Sequence, residues 1–202
     1  MDKSKKMIEQ LITLTEGMGI DIQEVRRQAL KICMELCEDE KGKPKEVTMH
    51  TVNKIFPCIA FYKAYINVTG DPKKAYAIIE RYFTIKCKRV AGLLKAVCKA
   101  SVIRKRVPKM MASVIHRVFG EKSGFEMIDR EIRGSVCHID MVKCPYHSQC
   151  QIHDCPELTR VFCDSDDVSY GNMHRDILWE RTKTLGRGDD CCNFILKIEK
   201  RS

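Results

Sequence analysis

The sequence predicts an α+β fold: an N-terminal helical region followed by an antiparallel sheet of about four strands with a short helix. Three observations carry this. Through the first 120 residues apolar side chains recur at i, i+3 and i+4, which places them on one side of a helix. After Gly124 the apolar period falls to two, as in half-buried strands. The chain has 202 residues, 44% of them hydrophobic and 31% charged, so it can bury a sizeable core and is not disordered as a whole. Helices first and strands afterwards favour an antiparallel sheet over an alternating α/β order.

In order, Lys6–Gly17 carries Met7, Ile8, Leu11, Ile12 and Leu14 at helical spacing and stops at Gly17-Met18-Gly19. Asp21 is placed to cap a second helix with Val25, Ala29, Ile32, Cys33 and Leu36 on its apolar side. The polar run Glu38–Pro44 marks a boundary between an extension, residues 1–45, and a main α+β domain, residues 46–202, helical to about 120. A third helical stretch is expected over Thr48–Ile66, kinked at Pro57. Gly70-Asp71-Pro72 then starts a helix with Asp at the N-cap and Pro at the first helical position. Glu126–Arg133 and Val136–Met141 alternate as strands across Gly134-Ser135. Cys144–Cys155 reads as an irregular loop, and Pro156–Phe162 as the short helix. Ile177–Thr184 and Cys192–Ile198 read as two strands joined by a hairpin turn at Gly186–Asp190.

Charge divides the chain. Residues 1–120 hold 24 Lys and Arg against 12 Asp and Glu, whereas residues 121–202 hold 12 against 15. From Tyr82 to Gly120 there is no acid among ten cations. Such a run reads first as a solvated helical face. With no aromatic residue between Phe83 and Phe119 it offers no stacking platform, which speaks against nucleic acid as the partner. No apolar run approaches the ~18 residues of a membrane span, and Met1–Leu11 lacks the apolar core of a secretory signal. A cytoplasmic, reducing location is therefore expected, with the 12 cysteines as thiols, ligands or nucleophiles rather than disulfides.

Three clusters could carry chemistry. Cys144, His147, Cys150 and His153 fall at intervals of three. Their donor types suit zinc, but structural zinc sites usually pair two close ligands with two distant ones. The expectation is no cofactor, with zinc as the alternative and a metal or small-ligand sensor as the rival function. Phe162-Cys163-Asp164-Ser165-Asp166-Asp167 sets a thiol before three carboxylates, read as an acidic loop or as a source of a general base. Glu180–Phe194 contains Arg181 and Arg187, either of which could clamp a substrate carboxylate.

Taken in order, these pieces resemble the L-2-amino-thiazoline-4-carboxylic acid hydrolase family of bacterial proteins. The resemblance runs from about Val52 to Ile198. It rests on Phe61–Phe83 with its Gly70-Asp71-Pro72 junction, on Cys144-Pro145-Tyr146, and on Pro156-Glu157-Leu158 leading to Phe162-Cys163 and Asp166. It closes with Arg181-Thr182, Thr184-Leu185, Gly188-Asp189-Asp190 and Cys192-Asn193-Phe194. The resemblance implies a hydrolase that opens a C–N or C–S bond of a small cyclic amidine with water. Placed on these positions, Asp166 is the implied base and Cys163 and Cys192 line the pocket, one as nucleophile or acid. Arg181, Asp167 and Cys144 bind the substrate. The family commonly has Asp at the position of Asn193, so a role for that carboxylate is lost here. The expected partner is a small molecule, and a homo-oligomer stays open.

Overall fold

The structure is a computed structural model that describes residues 2–199. Helices come first: α1 (Asp2–Thr13), α2 (Ile22–Glu38), α3 (Lys45–His50), α4 (Phe56–Thr69), α5 (Pro72–Val97), α6 (Ser101–Arg104) and α7 (Val107–Val118). Strands β1 (Glu126–Arg133) and β2 (Val136–Lys143) follow. After them come α8 (Pro145–Ile152), α9 (Leu158–Tyr170), β3 (Ile177–Glu180) and β4 (Cys192–Ile198). The four strands form one antiparallel sheet in the order β1-β2-β4-β3, so the α+β expectation holds.

Local chemistry sets the helix ends. Asp21 caps α2 by accepting the Glu24 N–H at 3.0 Å. At the next junction Gly70 takes φ +70°, a left-handed conformation that closes α4. Asp71 then accepts the Lys74 N–H at 2.9 Å, and Pro72 opens α5. Between α3 and α4 the chain runs through a π turn, Thr51–Ile55. The expected kink therefore lies before Pro57, which sits in the first turn of α4, where its missing N–H costs nothing.

Two apolar clusters result. In the first, α4 is buried nearly all round, from Phe56 to Tyr65. Against it pack Ile8, Leu11 and Ile12 of α1, Val25 and Ala29 of α2, Ile78 and Ile79 of α5, and Leu158 and Phe162 of α9. In the second, α7 lays Ala112 and Ile115 on the sheet. Strand register pairs Cys137 with Leu196, Ile139 with Phe194 and Met141 with Cys192, so one apolar face faces inward. Tyr146 packs against both clusters. No helix among the described residues is long and apolar enough to cross a membrane.

Three expectations are corrected. Cys144–Cys155 is not an irregular loop: Pro145 opens α8, and Tyr146 and Cys150, four apart, turn inward on one side. The short helix expected at Pro156–Phe162 is instead α9, thirteen residues long, and the acidic run 164–167 lies within it. Strand β3 stops at Glu180 rather than Thr184. The side chain of Asn193 takes the place of ladder partners there, accepting the N–H groups of Thr182 and Lys183 at 2.9 and 2.7 Å.

The α4–α5 junction is directly testable. Asp71→Ala removes the cap and lowers unfolding free energy by about 1 kcal/mol in urea titrations, while Asp71→Ser retains most of it. Equal losses in both variants contradict the capping assignment.

Candidate active site

A cavity of about 620 Å³ lies where the two clusters meet. Its wall is mostly apolar and aromatic, including Phe83, Phe125, Tyr146, Trp179 and Phe194. The sequence-selected residues Cys144, Cys163, Asp166, Arg181 and Cys192 all line it, though they come from separate parts of the chain.

Helix α9 supplies the acidic side. Cys163, Asp166, Asp167 and Tyr170 are three or four residues apart and share one side of it. Three acids in the last turns of a helix oppose its macrodipole, and none of the helix's own residues offsets them. Partners distant in sequence do. Arg181, just beyond β3, donates from Nη1 to Asp166 at 3.2 Å and from Nη2 to Asp167 at 2.6 Å. Its Nη2 also reaches the carbonyl of Cys163 at 2.7 Å. Arg187 binds Asp164 at 2.9 Å, and the Trp179 indole N–H donates to Asp167 at 2.9 Å.

Arg181 is thus a tied cation. Its side chain is 1% exposed, and its guanidinium lies 5.6 Å from the Phe194 ring. Only Nε remains buried without a partner. It stands as a brace between β3 and α9 rather than as an open clamp. Asp167 departs from expectation too: with both oxygens occupied by Trp179 and Arg181, it is not part of the cavity wall.

Asp166 does face the cavity. Its side chain keeps 36% of its surface, which looks into the mostly apolar, partly open cavity. Loss of solvation pushes its pKa up to about 7. Arg181 opposes the shift, Asp167 adds to it and Lys54 opposes it. Lys54, presented by the π turn, lines the same cavity and shifts the other way: burial lowers its pKa, and the field of Asp166 counters. Nothing in the sequence pattern marks Lys54, since a lysine on a π turn looks like any surface lysine.

The thiols form a second feature. Cys163 and Cys192 interact through their sulfurs, and the Cys192 sulfur receives the Leu185 N–H at 3.3 Å. This interaction pushes Cys163 up and Cys192 down. Gly186 lies over this pair: a Cβ there would meet Cys163 Sγ at 3.2 Å and Thr159 Cγ2 at 3.0 Å. Cys144 lies close enough to feel Cys163 and Asp166, and burial pushes it up to about 12.

Behind the wall is a network that the sequence hid. His50 is fully buried and donates from Nε2 to the Val118 carbonyl at 2.9 Å. Burial lowers its pKa, so the ring is neutral and Nδ1 accepts the Tyr146 hydroxyl at 3.1 Å. Tyr146 is thereby fixed in the wall. Its place in Cys144-Pro145-Tyr146 was the available signal.

The alternative ligand set does not assemble on one point. Cys150 is buried and interacts with Cys155, His153 packs on Phe56, and Cys144 faces the cavity. His147 Nδ1 is buried without a partner. Among the described residues no group of three or more His, Cys, Asp or Glu side chains is arranged to hold a metal ion.

Residues 48–196 match the family described as L-2-amino-thiazoline-4-carboxylic acid hydrolase. That span is most of the chain, and the chain belongs to this family. No curated protein and no solved structure matches it.

The raised pKa of Asp166 fixes the sign of a stability effect. In the folded protein it keeps a proton that the unfolded chain has already released above about 3.9. Its contribution is therefore favourable below that value and is lost as pH rises through about 7. Asp166→Asn should flatten the decline in unfolding free energy across this interval. An unchanged slope in urea titrations at stepped pH contradicts the assignment.

Proposed function

We propose that this chain, as a member of the L-2-amino-thiazoline-4-carboxylic acid hydrolase family, opens a small cyclic amidine of the aminothiazoline carboxylate type with activated water. The observation that carries the reading is Asp166. It is a cavity-facing carboxyl with a pKa near neutrality, held in place by a cation that is itself buried. A group poised near the working pH both accepts and donates protons well.

The reaction needs two proton transfers. Asp166 takes a proton from water as the water oxygen bonds to the amidine carbon, and hands it to the ring nitrogen. The tetrahedral carbon now carries a hydroxyl, two nitrogens and the ring sulfur. Asp166 next removes the hydroxyl proton as the carbon–oxygen double bond forms. The carbon–sulfur bond breaks with its electron pair on sulfur, which receives that proton. The product is an N-carbamoyl-cysteine, so one water is consumed and charge is conserved. Cys163 and Cys192 lie side by side next to the reacting ring, and a thiol of this pair donates its S–H toward the departing sulfur.

Arg181 acts as a positioning residue, since its Nη1 and Nη2 donate to Asp166, Asp167 and Cys163. The substrate carboxylate goes to Lys54, which among the cavity's lysines is the one that counters the Asp166 charge. Cys144 and Tyr146 form the wall opposite. The apolar surroundings strengthen each of these interactions by excluding water.

Release of N-carbamoyl-cysteine from 2-aminothiazoline-4-carboxylate tests the reading. Wild-type kcat/KM should rise as Asp166 deprotonates through pH about 7. Asp166→Asn should lose that limb and fall by roughly 10²–10⁴-fold. Lys54→Met should raise KM more than it lowers kcat. Full activity in Asp166→Asn overturns the proposal.

A further inference from the structure

The cavity is larger than the reaction requires. About 620 Å³ is the size of pocket that encloses a drug-sized ligand, whereas an aminothiazoline carboxylate is a single five-membered ring with two small substituents. The excess space has a direction. Tyr82, Phe83, Lys86, Cys87 and Val90 of α5 all line the cavity, a stretch of about 12 Å along the helix axis. Across from them α7 contributes Met111, Val114 and Ile115.

The stretch of this channel between α5 and α7 is partly open, and among the described residues Lys86 is its one charged side chain. Val90 is 44% exposed and Val114 41% exposed, yet both belong to the cavity wall. Apolar surface left uncovered in a lined channel is stabilised by an apolar occupant, at roughly 25 cal/mol per Å² removed from water. Asp166 and Lys54 feel one another's fields in the same cavity, which Lys3, Lys6 and Lys86 also line. The channel therefore joins a reactive carboxyl and a nearby cation to a long, mostly apolar stretch.

Resting on the hydrolase reading for its reactive end, we infer that the ligand of this cavity is an amphiphilic carboxylate, a cyclic amidine or amide head bearing an extended apolar substituent. The head carboxylate pairs with Lys54, and the substituent runs between α5 and α7 toward Val90 and Val114. Specificity for the substituent resides in Phe83, Val90, Met111 and Val114, none of which touches the reacting atoms.

The chain has one tryptophan, Trp179, and it lines the cavity, so its emission reports occupancy directly. Octanoate, decanoate and dodecanoate serve as probes below their micelle-forming concentrations, with alkyltrimethylammonium ions of equal length as the cationic control. The carboxylates should shift Trp179 emission saturably and tighten by up to about fourfold per added methylene. The cationic series should bind more weakly at every length. Lys54→Met should weaken all three carboxylates alike. Val90→Asp, a change at a half-open position, should weaken dodecanoate more than octanoate. In a parallel arm, 2-aminothiazoline-4-carboxylate is compared with an analogue carrying a ring alkyl chain, and the alkylated compound should show the lower KM.

The two readings fail separately. Chain-length-dependent carboxylate binding without hydrolysis of either compound supports the amphiphile inference and overturns the hydrolase reading. Hydrolysis of the parent compound with equal KM for the analogue, and no chain-length dependence at Trp179, overturns the amphiphile inference and leaves the hydrolase reading standing.

Discussion

A guanidinium with 1% exposure cannot stand unpaired, and the neutralisation of Arg181 organises this molecule. Two carboxylates of one helical turn, Asp166 and Asp167, supply the opposite charge, and the Cys163 carbonyl takes a further donor. The same contacts let α9 continue as helix through a stretch whose local charges oppose it. They also dock the end of β3 against that helix. Trp179, two residues before the arginine, fixes Asp167 from a second direction, so only Asp166 is left turned toward the cavity.

The electrostatics of the cavity follow from where it lies. At the meeting of two apolar clusters, ionised groups lose part of their water. Burial raises Asp166 and lowers Lys54, and each shift is opposed by the other's field. This leaves Asp166 as a proton-accepting group poised near neutrality beside the Lys54 cation, whose pKa is lowered, in a medium that magnifies small changes of charge. Free cysteines nearby add polarizable walls, with Cys163 and Cys192 interacting through their sulfurs.

Much of the fold was legible. Asp21, Gly70-Asp71-Pro72 and the alternation across Gly134-Ser135 are short-range signals, and each element they mark is present. The errors share a cause. Cys144–Cys155 and Asp164–Asp167 look irregular only when read locally: burial of Cys150 fixes the first as helix, and Arg181 and Arg187 fix the second. The end of β3 depends on the Asn193 side chain, ten and eleven residues away in sequence. The site was legible in part. The residues around 163, 181 and 192 meet at one cavity, whereas Arg181 is occupied by its own carboxylates and Lys54 carried no sequence signal.

The account depends on Asp166 being a desolvated carboxyl that Arg181 holds but does not fully compensate. Carbon-13 NMR titration of the aspartate carboxyls, with the Asp166 resonance assigned by its loss in the Asn variant, reads this directly. Titration of that resonance at about 7 is the predicted result. A midpoint near the ordinary aspartate value of about 3.9 would contradict the account, because the carboxyl would then be solvated or fully paired and unable to relay protons near neutral pH.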